Sequence, residues 1–80
     1  MTRDEAAALE QFVKDHDTRF EAQVSADGAD ASLLLRDPRD GTQLEPVRSS
    51  DEYRARFIAG CDPGPTIRES FEKWLGERAS

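Results

Sequence analysis

Residues 20–36 read FEAQVSADGADASLLLR, and this stretch decides the fold. Apolar residues take every second position over residues 20–26, and the alternation resumes over 31–35 after an Asp-Gly turn signal. Such alternation is typical of strands that bury one face, because successive side chains point to opposite sides. The stretch therefore predicts a β-hairpin with one apolar face. The residues expected on that inner face are Phe20, Val24, Leu33 and Leu35.

A third strand is predicted beyond the hairpin, after the turn signal DPRDG at residues 37–41. Proline presets the backbone of such a turn and glycine accepts a positive dihedral angle. The following segment, Thr42–Val47, is expected at the sheet edge, because Pro46 has no amide to donate to a ladder. The hairpin and this segment together predict a three-stranded antiparallel meander.

Three segments around the meander have apolar residues at helical spacing, each preceded by a Ser/Thr-x-x-Glu capping box. They predict helices from Thr2 to about residues 15–17, from about Ser50 to Ala59, and from Thr66 to about Glu77. The connector CDPGP at 61–65 interrupts the last two, which could be separate helices or one kinked helix. Because short antiparallel strands bury one face, the helices are expected on one face and water on the other. The expected fold is α+β, order α-β-β-β-α-α, in a single small domain over residues 1–80.

Charge and composition narrow the classes of partner. The chain has 17 acidic and 11 basic residues and a formal net charge of -6, which disfavours binding to a phosphate backbone. Double-stranded-RNA-binding domains share the predicted element order, but they need basic residues where this chain reads SSDE at 49–52. Since no segment resembles a signal peptide or membrane span, and one cysteine cannot form an internal disulfide, a cytoplasmic protein is expected.

Candidate catalytic and metal-binding residues are few. His16, the single histidine, is expected to cap the end of the first helix, and Cys61, which could pair with it as a nucleophile, has no flanking catalytic motif. These two residues cannot complete a zinc site within one chain. Four turn aspartates could hold calcium, but turns select Asp for backbone hydrogen bonds; they are Asp27, Asp30, Asp37 and Asp40. No nucleotide-binding loop is present, so a non-enzyme without a cofactor is predicted.

The remaining hypothesis is protein binding. On the predicted outer face, Leu34 is apolar among polar neighbours, as at many interfaces. Trp74 shares a helical stripe with Ile67, Phe71 and Leu75 and is expected in the core, with a place in an interface as the alternative, because tryptophan is enriched in binding hot spots. The predicted partner surface consists of Gln23, Leu34, Arg36, Val47 and Trp74. The chain is therefore expected to be a small protein-binding or regulatory module that uses a sheet face or edge, with self-association into a homodimer as one form. The alternatives are an acidic inhibitor that mimics nucleic acid and a small enzyme subunit completed by another chain.

Overall fold

The computed structural model describes residues 1–60 and 64–79. Its elements are helix α1 at Arg3–Asp15, strands β1 at Glu21–Asp27 and β2 at Asp30–Arg36, helix α2 at Ser50–Tyr53 continued by a π-helix at Arg54–Ala59, and helix α3 at Pro65–Ala79. The protein is therefore α+β, with helices and a two-stranded antiparallel sheet. Residues 61–63 of the predicted connector, including Cys61, lie outside the described residues.

Helix α1 begins at the predicted cap. The Thr2 hydroxyl accepts the amide of Glu5 at 3.1 Å. Glu5 does not complete the predicted capping box, because its carboxylate accepts the amide of Ser50 at 3.2 Å and so links the first turns of α1 and α2. Four residues of the stripe that the helical spacing predicted are buried, whereas the fifth, His16, is exposed. The buried residues are Ala6, Leu9, Phe12 and Val13.

The hairpin forms with its turn at the predicted position. Gln23 lies opposite Leu34 and Val24 opposite Leu33, with a turn between Asp27 and Asp30. Gly28 in that turn has a φ of 65°, which glycine adopts without steric cost. Because alternate residues share a face, the inner face carries the fully buried Leu33 and Leu35 of β2 with the partly buried Phe20, Ala22 and Val24.

Residues 42–47 do not form the predicted third strand. Two isolated antiparallel bridges hold this segment against β2, from Leu33 to Val47 and from Arg36 to Gln43. Between these two bridges the chain advances three residues along β2 but four residues along the segment. The segment therefore holds one extra residue, which interrupts the regular ladder. Pro46 lies in this interval and has no amide to donate. The predicted meander is corrected to a two-stranded sheet flanked by an irregular segment.

The second helix covers the predicted residues, but only its first turn is α-helical. The Ser49 hydroxyl caps that turn by accepting the amide of Glu52 at 3.0 Å. The six residues Arg54–Ala59 then form a π-helix, which has a wider turn. A Cβ atom at Gly60 would lie 2.7 Å from the carbonyl oxygen of Ala55, so the end of the π-helix has room for glycine alone.

Helix α3 starts one residue before the predicted capping residue Thr66. Pro65 occupies the first helical position, where its missing amide has no consequence, and the Arg68 amide donates to the Gly64 carbonyl at 3.2 Å. Phe71 of α3 is fully buried. Its ring lies 5.3 Å from that of Phe12 and 5.2 Å from that of Tyr53, so an aromatic cluster joins the three helices on the inner side of the hairpin.

Candidate functional site

The outer face of the hairpin brings together three residues of the predicted partner surface. Gln23 and Leu34 are directly opposite each other, and Arg36 is two residues further along β2. Leu34 is partly exposed, whereas Gln23 and Arg36 are exposed. Arg36 donates from Nε to Glu21 Oε2 at 3.0 Å across the strands, so a paired charge closes one end of the face.

The same face has shallow depressions. One, of about 300 Å³, lies around Leu34 and is bordered by the two amide side chains Gln23 and Gln43. Another, of about 410 Å³, lies at the hairpin turn and includes Ser25, Ser32 and Arg48. The face is therefore polar with a single leucine near its centre, a composition suited to a protein contact more than to an enclosed small molecule.

The other two residues of the predicted surface lie elsewhere. Val47 is fully buried, because its backbone bridge to Leu33 turns its side chain into the core, and its predicted place on the outer face is wrong. Trp74 is partly buried against Phe12 and Phe71, with ring distances of 5.6 and 5.4 Å. Since Phe12 belongs to the inner core, Trp74 is not part of the outer face.

Strand β1 has an open edge. Val24 donates its amide to Glu10 Oε2 at 2.9 Å, and Leu33, directly opposite, exchanges two hydrogen bonds with Val47, so the backbone groups of this pair point away from the hairpin interior. Because such pairs alternate in antiparallel ladders, Ala22 and Ala26 also point their amides and carbonyls outward from β1. Within residues 1–60 and 64–79 these groups of Ala22 and Ala26 have no hydrogen-bond partner.

The edge of β2, in contrast, is covered. Leu35 accepts the amide of Leu44 at 2.9 Å, and Asp37 donates its amide to the Thr42 carbonyl at 2.8 Å. At the other end of β2, Ala31 donates its amide to the Met1 carbonyl at 2.8 Å. The edge available for a further strand is therefore that of β1, whereas the sequence had placed it on the third strand.

A buried ionic cluster lies at the start of β1, and sequence reasoning missed it. Asp17 is fully buried, and its carboxylate accepts two hydrogen bonds from the Arg19 guanidinium, at 2.8 and 2.7 Å. The Tyr53 hydroxyl also donates to Asp17. Arg19 Nη2 donates at 3.1 Å to the carbonyl of Phe57, so the cluster ties the π-helix to the sheet. The sequence around Asp17 contains no pattern that indicates a hydrogen bond to Tyr53 in a distant helix.

Burial and hydrogen bonding act in opposite directions on this cluster. Burial would raise the pKa of the Asp17 carboxyl, but the hydrogen bonds from Arg19 and Tyr53 outweigh it and hold that pKa below its usual value. Burial and the hydrogen bond to Asp17 raise the pKa of Tyr53. The pair is therefore a carboxylate and a neutral phenol, an arrangement that fixes structure. Both side chains are fully buried, so a substrate could not reach them.

The candidate catalytic and metal-binding residues have local structural contacts. His16 is exposed at the end of α1 and its ring lies 4.8 Å from that of Phe12. The Asp37 carboxylate accepts hydrogen bonds from the amide and the guanidinium of Arg39, and the Asp40 carboxylate accepts one from the Thr42 amide at 2.8 Å. These hydrogen bonds lower the pKa of both carboxyls. In the described ranges no three His, Cys, Asp or Glu side chains are grouped as for a metal ion. Cys61, which the sequence does not favour as a nucleophile paired with His16, lies outside the described residues.

Comparisons with protein-family models, curated proteins and solved structures find no match for this chain. In the part of the chain that the structure describes, no helix has both the length and the apolar character that crossing a membrane requires.

Proposed function

We propose that the chain is a small, non-catalytic protein-binding module of the cytoplasm and that the outer face of the hairpin, centred on Leu34, is its contact surface. Support comes from the position of Leu34, an apolar side chain in the middle of a polar face that none of the helices in the described residues covers. An apolar centre within a polar rim is the usual organisation of protein interfaces.

The size of this face limits the mode of binding. Each strand has seven residues. Two such strands cover about 24 Å by about 10 Å, or roughly 240 Å², whereas a stable interface buries about 800 Å² on each partner. The partner therefore contacts more than the two strands, or binds weakly. Neighbouring groups that could extend the contact are Gln43 and Arg48 beyond β2, and the open edge of β1 on the opposite side.

The test is capture of partners from lysate followed by affinity measurements on each purified partner. We expect Leu34→Glu to weaken binding by at least about tenfold, because a carboxylate would be desolvated at the centre of the contact. The matched control is Ala7→Glu, which adds the same charge at an exposed position of α1. If both variants bind as tightly as the unchanged protein, the outer face is not the contact surface.

The same measurements distinguish the alternatives. An acidic inhibitor would bind a basic protein with an affinity that falls steeply as salt rises. An enzyme subunit would place His16 in a completed active site, so that NMR titration of His16 would change when the partner is added. Light scattering of the protein alone tests the homodimer, which would have twice the monomer mass and would dissociate in Leu34→Glu.

A further inference from the structure

We propose that β1 receives an extended basic segment of a partner protein as an additional antiparallel strand along its open edge. This inference rests on the proposed protein-binding function and deepens it by specifying the partner. Strand addition uses backbone hydrogen bonds for affinity and alternating side chains for specificity. The outward amides and carbonyls of Ala22 and Ala26 supply the backbone part.

Glu10 covers the centre of this edge in the free protein. Its carboxylate accepts the Val24 amide at 2.9 Å, and Lys14 lies 3.4 Å from its other oxygen. Charged side chains that cover an exposed strand are a common protection against unwanted pairing. Glu10 therefore has to release Val24 before an added strand can pair along the full length of β1.

The charges beside this edge disfavour a second copy of the chain as the occupant. Two copies of β1 can pair all their outward residues, Ala22, Val24 and Ala26, in one antiparallel register. In that register Val24 of one copy lies opposite Val24 of the other. That register places Glu21 of each copy directly opposite Asp27 of the other, and like charges in this position destabilise a sheet. Both acids lie on the outer face, and Glu21 keeps 57% of its side chain exposed beside Arg36. A partner with lysine or arginine opposite Glu21 and Asp27 would instead form attractive pairs at both ends.

The residues of β1 therefore specify which side-chain type the partner segment carries at each position. Opposite Ala22, Val24 and Ala26 it carries small or β-branched apolar residues, because these positions share the inner face. Opposite Gln23 and Ser25 it carries polar residues, because these positions share the outer face. Basic residues occupy both ends. The peptide Lys-Val-Thr-Val-Thr-Val-Lys has this pattern and serves as the probe.

The experiment is an NMR titration of the whole protein with this peptide, with amide exchange measured on the complex. We expect the amides of Ala22 and Ala26 to shift and to become protected, and the peptide with Glu in place of Lys to bind about tenfold more weakly. N-methylation of the valine amides, which would face β1, should abolish binding, whereas N-methylation of the threonine amides should leave it unchanged. No binding, or equal binding of the two N-methylated peptides, would overturn the inference.

Protein variants separate this inference from the proposed function. Ala26→Pro removes an outward amide that the hairpin does not use, whereas the control Ala26→Thr keeps that amide. Circular dichroism checks that both variants fold. Loss of the captured partner in Ala26→Pro but not in Ala26→Thr supports strand addition. If Ala26→Pro binds this partner normally while Leu34→Glu does not, the edge inference fails and the proposed outer-face function stands.

Discussion

The Asp17 carboxylate has three hydrogen-bonding partners that lose their acceptor if it is removed: the Arg19 side chain, the Arg19 amide and the Tyr53 hydroxyl. Asparagine at this position keeps one acceptor oxygen, but it removes the negative charge and places an NH2 donor against the donors of Arg19 and Tyr53 in a buried site. We therefore expect Asp17→Asn to lower the free energy of unfolding by about 3 kcal/mol in urea titrations followed by circular dichroism. The control Asp15→Asn, at an exposed residue of α1, should change it by less than about 0.5 kcal/mol. Equal effects of the two substitutions would contradict a stabilising role for the cluster.

The contribution of Asp17 to stability should also be visible in the pH dependence of the free energy of unfolding. Because the folded pKa of Asp17 lies below its unfolded value, the ionised carboxylate contributes stability that is complete above the unfolded pKa and is lost as pH falls through the folded pKa. Urea titrations from about pH 6 down to about pH 2 should therefore show stability falling below about pH 4, with a smaller decline in Asp17→Asn. Identical pH profiles for the two proteins would show that Asp17 titrates alike in both states.

At the residue scale, the sequence predicted well which face of a strand a side chain occupies. It predicted poorly which residues far apart in the chain contact each other. Leu34 was assigned to the outer face because alternation along one strand is a local property. Val47 was misassigned because the surplus residue between Gln43 and Val47 reverses the alternation, and nothing local reveals that shift. One partner of Asp17, Tyr53, is 36 residues away, so only the tertiary fold brings the two together.

Two helix-associated glycines should respond in opposite ways to alanine. A Cβ at Gly60 would lie 2.7 Å from the Ala55 carbonyl oxygen, whereas a Cβ at Gly76 in α3 would have no atom within 4 Å. We expect Gly60→Ala to destabilise the protein by about 1–3 kcal/mol through this backbone clash, and Gly76→Ala to stabilise it by about 0.5–1 kcal/mol through helix propensity. Thermal unfolding measures both. Stabilisation by Gly60→Ala would mean that the π-helix relaxes to remove the clash.

At the element scale, the hairpin and the helices were predictable because their signals are short-range: period-two alternation, helical stripes and capping residues. The start of α3 was misplaced by one residue because a second rule, proline at the first helical position, overrode the Thr66 capping signal. The π-helix had no signal at all. Its wide turn coincides with the Arg19 hydrogen bond to Phe57, a contact made by the tertiary fold.

At the scale of the whole molecule, the aromatic cluster should make unfolding cooperative. Trp74 is the single tryptophan, so its fluorescence reports on the packing of α3 against Phe12 of α1. Because the neighbouring Phe71 is fully buried between α1 and α2, we expect the fluorescence and circular-dichroism transitions in urea to coincide. Phe71→Ala should cost about 3–5 kcal/mol. An earlier fluorescence transition in the unchanged protein would show that α3 detaches before the rest unfolds.

The candidate surface depends on this larger scale as well. Three of its five predicted residues share the outer face because strand pairing was foreseen. The predicted meander also left β1 at one edge of the sheet, but the prediction chose the third strand as the edge for pairing. Residues 42–47 lie beside β2 as expected, yet they form only two isolated bridges, so that segment has no regular strand edge and β1 does.

The π-helix also indicates where the chain is one residue longer than a regular helix requires. A π-turn closes its backbone ring with one more residue than an α-turn, so Arg54–Ala59 holds one residue beyond what an ordinary helix needs between the same flanks. Tyr53, at its beginning, and Phe57, within it, are both anchored to the Asp17 cluster. A chain that lacks Ala59, the exposed last residue of the π-helix, could keep both anchors and the buried Ile58 and close a regular helix. This turn is therefore the place where the chain could lose one residue while its core residues stay in position.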